Sequence, residues 1–152
     1  MLPDELDLLL VEHDPAEAEL LLRPLQELTE RGRIGVARDG EEALDYLQGR
    51  GRYRHRMGGV LPRLVLLELK LPRLDGVEVL RTLRASPRTG TVPVVVLTSS
   101  AEGREVTQCY QAGANSCIRK PIDHRELAET LRTLGRYWLR LNHAAPGGVG
   151  VG

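Results

Sequence analysis

The chain has 152 residues, 41% hydrophobic and 28% charged, the balance of one globular domain. Lys+Arg and Asp+Glu are 21 each, so the formal net charge is zero, which excludes a strongly basic nucleic-acid binder by composition. Aromatics amount to 3%, with no Phe and one Trp, so an aliphatic core is expected and a base-stacking platform is not. Cys109 and Cys117 give neither metal-finger spacing nor a disulfide framework. No apolar run approaches the roughly 18 residues of a membrane span, and the opening MLPDELD is acidic where a signal peptide is basic. A cytoplasmic single domain is expected.

Apolar runs alternate with helical stretches. Leu6–Val11 reads as a strand buried on both faces. Asp14-Pro15 then starts a helix, Asp capping its free amides, and Ala18, Leu21, Leu22, Leu25 and Leu28 follow at helical spacing. Pro24 is expected to kink that helix or weaken its first turns. A second strand is expected at Arg33–Ala37, and Asp39-Gly40 opens a helix with Ala43, Leu44 and Leu47 on one face. Gly49–Pro62 reads as a long connection. The apolar run Leu64–Leu67 ends at Glu68 and leads through Pro72, Asp75 and Gly76, read as turn formers, into a helix with Val77, Leu80 and Leu83 inward. Val94–Leu97 is the fourth strand, followed by a helix from about Glu102 to Ala112. Ser116–Ile118 is a short fifth strand running into Lys120-Pro121. A last helix starts near Asp123 and carries Leu127, Leu131, Leu134 and Trp138. A domain over residues 1–142 is expected, with the Gly-rich tail 143–152 disordered.

Five strands alternating with five helices imply an α/β sandwich around a parallel sheet. Functional crevices in such folds lie past the carboxyl ends of the strands, where strand order reverses. The residues there are Glu12, His13 and Asp14 after the first strand, Glu68 after the third, Thr98 and Ser99 after the fourth, and Lys120 after the fifth. Two acids, a hydroxyl and a lysine converge on one edge.

The segments LLLVEHDPAEAELL, VARDGEEALDYL, LVLLELKLPRLDGVEVL, VPVVVLTSS and AGANSCIRKPID resemble the receiver domain of bacterial two-component response regulators. The resemblance covers nearly the whole chain in the family's order and spacing. It implies a flavodoxin-like (βα)5 fold with a five-stranded parallel sheet in the order 2-1-3-4-5. The longer second crossover and the closing YWLRLN are similar to receivers that serve phytochrome histidine kinases. In the family, an acidic pair after the first strand and an Asp after the third bind Mg²⁺, and that Asp takes a phosphoryl group from a phosphohistidine. A Thr or Ser after strand four and a Lys after strand five contact the phosphoryl oxygens. Three carboxylates and one ammonium leave a charge of about −2, which is why the family's chemistry needs the metal.

Residue by residue, the resemblance makes Glu12 a pocket acid and Thr98 and Lys120 the phosphate-contact equivalents. Three positions depart from the pattern. Glu68 stands at the phosphoacceptor, His13 at the second acid, and Cys117 at the aromatic switch residue that works with Thr98. Glu68 is one methylene longer than Asp, moving its carboxylate by roughly 1.5 Å, and misplacement of this order costs about 100-fold in a transfer reaction. Imidazole is a poor Mg²⁺ ligand. With His13 protonated, Glu12 and Glu68 balance Lys120 and His13, so no metal is expected to be held and Mg²⁺ binding should be weak or absent. One such charge pair interacts by about 4 kcal/mol before desolvation.

The resulting expectation is a single-domain, response-regulator-like protein. It acts by protein–protein binding and not as an enzyme, its signal carried by binding, abundance or the charge on His13. The expected partners are a sensor histidine kinase, a bacteriophytochrome among them, or another receiver, engaged through the first helix and the loops around Glu68. A homodimer through the last helix is a further expectation. The alternative is a receiver that still accepts a phosphoryl group on Glu68 with residual Mg²⁺ dependence. A nucleotide or flavin enzyme on this fold lacks its glycine-rich loop. Several residues keep two readings. Lys120, one of two lysines beside Lys70, either serves the pocket or locks Glu68; Asp14 either caps the helix or replaces the missing ligand. Glu12, His13 and Glu68 either stay metal-free or take a transition metal. Cys117 and Cys109 are buried hydrophobes or redox centres. Arg50–Arg56 is a solvated loop or a contact for an acidic partner or nucleic acid. Trp138, Leu134 and Leu141 are core or a self-association face.

Overall fold

The structure is a computed structural model that describes residues 1–29, 33–100 and 102–145. Among the described residues, five strands alternate with five α-helices. They are β1 (Leu8–Val11), α1 (Pro15–Gln26), β2 (Ile34–Ala37), α2 (Gly40–Gln48), β3 (Leu64–Glu68), α3 (Gly76–Ala85), β4 (Val94–Thr98), α4 (Gly103–Ala112), β5 (Ser116–Arg119) and α5 (His124–Gly135). The strands form one parallel sheet in the order β2-β1-β3-β4-β5, the flavodoxin-like receiver fold that the motifs imply. Most boundaries fall within one or two residues of the sequence reading; β1 starts at Leu8 instead of Leu6, although Leu6 is itself buried, and α5 ends at Gly135, short of Trp138. None of the helices described is long and apolar enough to cross a membrane.

The three central strands are the unbroken apolar runs, buried along their whole length because helices cover both faces. Alternation splits their side chains into two layers. Leu9, Val11, Val65, Leu67, Val94 and Val96 pack under α2, α3 and α4. Leu8, Leu10, Leu64, Leu66, Val95 and Leu97 pack under α1 and α5 with Leu21, Leu25, Leu127 and Leu131. Asp14, Asp39, Asp75 and Asp123 each accept backbone N–H bonds at a helix start, so four helices begin where an acid satisfies their free amides. Pro24 lies in the last turn of α1, which closes two residues later without losing its first turns. Gly49 ends α2 at φ +65°, and an added Cβ there would meet the backbone of Met57 at 2.7 Å.

Two expectations need correction. The core is not purely aliphatic: Tyr46 and Tyr53 are fully buried and pack edge to face at 5.3 Å. Burial is tolerable because Tyr46 donates its hydroxyl to Pro3 O at 2.8 Å and Tyr53 donates to Glu42 Oε2 at 2.9 Å. The Gly49–Pro62 connection is likewise not a plain solvated loop. Gly51–Arg56 winds into a 3-10 segment, and Arg56 is only 3% exposed, donating to the carbonyls of Asp4, Tyr46 and Val60 while lying over the Tyr46 ring. After α5 the chain continues as a wider π-type turn, Arg136–Leu141. There Leu134 is core, Trp138 packs half-buried against the α1/α5 layer, and Leu141 is exposed. The expected disordered tail lies, from residue 146 on, outside the described residues.

Candidate functional site

Register alone brings the two leading acids together. Val11 of β1 lies opposite Leu67 of β3, so Glu12 emerges level with Glu68 at the point where strand order reverses. Lys120 follows Arg119, which is opposite Thr98, and its amide donates to Thr98 O at 2.7 Å. These ends border an open cleft of about 430 Å³ whose walls include Glu12, His13, Asp14, Glu17, Glu68, Ser99 and Lys120.

Lys120 is the hub. Its ammonium donates to Glu68 Oε2 at 2.6 Å and to Glu17 Oε1 at 3.2 Å, with only 12% of its side chain exposed. Burial works against that charge, but Glu68 and then Glu17 outweigh it, and the Lys120 pKa is raised. Burial also pushes the Glu68 carboxyl up; Lys120 restrains the rise, the neighbouring Glu12 carboxylate adds to it, and the result is about 7 against an ordinary 4.5. Glu68 is therefore not a permanently charged group at neutral pH.

Glu12 is 2% exposed. Its Oε1 accepts the Asp14 N–H at 3.1 Å and faces His13 Nδ1 at 3.4 Å, while its Oε2 has no hydrogen-bond partner among the described residues. His13 lies at the rim with half its side chain in solvent. Asp14 is occupied as the cap of α1, accepting from Ala16 N at 2.9 Å. Among the described residues no three His, Cys, Asp or Glu side chains are grouped to hold a metal.

Glu12, His13, Glu68 and Lys120 thus meet at one cleft. Thr98 and Cys117 do not join them. The Thr98 hydroxyl donates to Ser100 O at 2.8 Å and accepts Ser100 N–H at 3.1 Å, and Ser99 is the cleft residue after β4. Cys117 packs toward the opposite layer beside Cys109 of α4, and burial pushes the Cys109 thiol up to about 11, away from reactive thiolate. The residue that sequence reasoning missed is Glu17. Its signal was its place in the first turn of α1, where an acid suits the helix dipole and the helix start points at the strand ends.

A parallel 2-1-3-4-5 sheet with acids and one lysine gathered past its strand ends defines a receiver-type signalling module. The chain belongs to the response regulator receiver domain family, which matches it over residues 8–132, and its place is in two-component signalling. It is 41% identical over 142 residues to the probable methanogenesis regulatory protein FilR2 of Methanothrix harundinacea, spanning 93% of this chain and 88% of that relative. It is 33% identical over 132 residues to response regulator Rcp1 of Synechocystis sp., spanning 87% and 88% of the two chains. Among solved structures, the phosphorylated cyanobacterial phytochrome response regulator RcpA is similar with a TM-score of 0.83 and 31% identity, over 90% of this chain and 96% of that one. The Mn²⁺-bound form of Rcp1 is similar with a TM-score of 0.78 and 30% identity, over 91% and 97%.

Proposed function

We propose that this chain is an atypical receiver in which Glu68 takes the phosphoacceptor position and the protein acts by binding a partner, without turning over phosphate. The observation that carries the reading is the 2.6 Å contact of Lys120 with Glu68: the lysine that would meet an incoming phosphoryl oxygen already holds a carboxylate. Divalent metal is held by Rcp1, but the donors here are a poor match for Mg²⁺. One Glu12 oxygen is engaged by Asp14 N–H and only its unpartnered Oε2 remains for a cation, the adjacent position is an imidazole, and Glu68 is tied to Lys120. With four carboxylates lining the cleft, Glu12, Asp14, Glu17 and Glu68, against the two lysines Lys70 and Lys120, a proton on Glu68 does part of the neutralising work that a metal does elsewhere. The kinship with RcpA supports a sensor histidine kinase of the phytochrome class as partner, met at α1 and the loops around Glu68, and the surface near Trp138 and Leu141 is the candidate for a homodimer.

Incubation with acetyl phosphate and Mg²⁺, followed by intact mass measurement, tests the reading. No phosphoryl adduct is expected, and beryllofluoride with Mg²⁺ should not raise the melting temperature. The double substitution Glu68→Asp with His13→Asp should restore Mg²⁺-dependent stabilisation. A stable acyl phosphate on the unaltered chain would refute the reading.

A further inference from the structure

At the opposite end of the sheet lies a second cavity, of about 310 Å³, whose lining includes Asp7, Thr29, Arg33, Arg63, Leu139 and Arg140. Its chemistry is unlike the acidic cleft. Three guanidiniums border it against one carboxylate. Arg33 reaches Glu5 at 2.6 Å through Nη1, but its Nε is buried without a partner, as is the Thr29 hydroxyl, among the described residues. Among the described residues Arg63 and Arg140 reach only backbone carbonyls, Asn142 O at 3.3 Å and Leu28 O at 3.4 Å, long bonds that use one donor of each. Buried donors without acceptors are uncommon, and two of them in the walls of one polar cavity mark a place where an acceptor belongs.

We propose that this cavity binds a small phosphomonoester bearing hydroxyl groups, such as a sugar phosphate or a nucleoside monophosphate. The guanidiniums of Arg63 and Arg140, the unpartnered Nε–H of Arg33 and the Thr29 hydroxyl offer more donors than the two oxygens of a carboxylate accept, whereas a phosphate presents three terminal oxygens. Asp7 only accepts when ionised, so bare phosphate would leave it repelled and unpaired; a sugar hydroxyl supplies the donor it lacks. The volume is at the small end of ligand pockets, which suits a single phosphorylated sugar or nucleoside. Leu139 gives the organic part an apolar wall. Because α1, β2 and the turn after α5 all meet here, occupancy would brace the end of the molecule opposite Glu68.

Titration calorimetry of the full chain with ribose 5-phosphate and with adenosine monophosphate tests this, paired with ¹⁵N spectra that resolve the Arg33 Nε–H. Both probes are expected to bind with dissociation constants below about a millimolar and to shift the Arg33 Nε–H resonance, while adenosine does not bind. Arg63→Gln with Arg140→Gln should weaken binding at least tenfold, and Arg140→Gln alone, which touches only one carbonyl, serves if the double variant folds poorly. Absence of binding at 5–10 millimolar overturns the proposal, about an order of magnitude beyond the weakest affinity of interest. So does binding that survives both variants or is lost in Lys120→Gln, which would place the phosphate in the acidic cleft instead. Inorganic phosphate binding as tightly as ribose 5-phosphate overturns the hydroxyl requirement.

Discussion

Lys120 and Arg56 are both largely buried cations, and the molecule satisfies them by different means. Lys120 has two carboxylate partners, Glu68 and Glu17, and burial raises the pKa of the first to about 7, where it exchanges its charge for a proton. Arg56 has three carbonyl partners and an aromatic face, none of which titrates in any ordinary range as an acid does. The first arrangement ties a local structure to pH; the second joins the N-terminal segment to α2 and the 3-10 segment through partners of Arg56 that carry no titrating charge.

The sharpest way to break this contrast is to remove each cation. Arg56→Met leaves three carbonyls short of a donor and removes the contact with Tyr46, at roughly 1 kcal/mol for each of the four. Urea unfolding should show a loss of about 4 kcal/mol, equal at pH 5.5 and pH 8. Lys120→Met loses the Glu17 bond at either pH, and should cost more above pH 7 than at pH 5.5, because the unaltered chain there gains the Lys120–Glu68 pair while the variant lacks the lysine that restrains the Glu68 pKa. A pH-independent cost for Lys120→Met would erase the distinction.

The pH profile of the unaltered chain carries the next largest effect. The unfolded chain releases the Glu68 proton near the ordinary 4.5, and the folded chain keeps it to about 7. Between those values the folded state binds more protons, so Glu68 lowers stability as pH rises, by up to about 3 kcal/mol across the window. Glu68→Gln removes this slope, so its unfolding free energy should gain on that of the unaltered chain from pH 5 to pH 7.5. Equal slopes for the two would show that Glu68 titrates normally.

How much of this was legible in the sequence differs between the same two regions. The acidic cleft was readable because parallel strands announce themselves as apolar runs, and the residue after each run falls at one edge. The sequence alone places Glu12, Glu68 and Lys120 at that edge. It leaves orientation open: nothing in the order of residues says that the Thr98 hydroxyl turns back to Ser100, or that Glu17 on α1 reaches across 103 positions to Lys120. The Arg56 clasp was hidden because a run of arginines and a tyrosine, RGRYRHR, has the composition of a solvated loop. Its burial depends on carbonyls from Asp4 and Val60, partners that carry no side-chain signature.

Gly76 is a further case in which sequence named the residue and structure supplied the reason. Read as a turn former, it is instead a site of close approach: an added Cβ would meet Glu68 O at 2.7 Å and Leu69 Cα at 2.9 Å. The start of α3 thus leans directly on the end of β3 that carries the cleft carboxylate, and Gly76 N–H donates to Leu69 O at 2.8 Å. Gly76→Ala should lose about 2 kcal/mol by forcing backbone apart. It should also displace Glu68 from Lys120 and move its titration, which carboxyl NMR would follow.

The smallest expected effect is at Thr98. If its hydroxyl served the cleft, Thr98→Val would change the Glu68 titration and the slope of stability between pH 5 and pH 7. In the structure the hydroxyl instead bonds both backbone groups of Ser100, which is half-buried and within reach of water. Valine keeps the shape and loses those bonds, so a uniform cost of about 1 kcal/mol is expected at every pH. Superimposable slopes for Thr98→Val and the unaltered chain would place Thr98 with the scaffold, and a changed slope would return it to the responsive cleft with Lys120. The distinction matters for signalling, because a hydroxyl engaged with the backbone must first leave Ser100 before it can report on anything at Glu68.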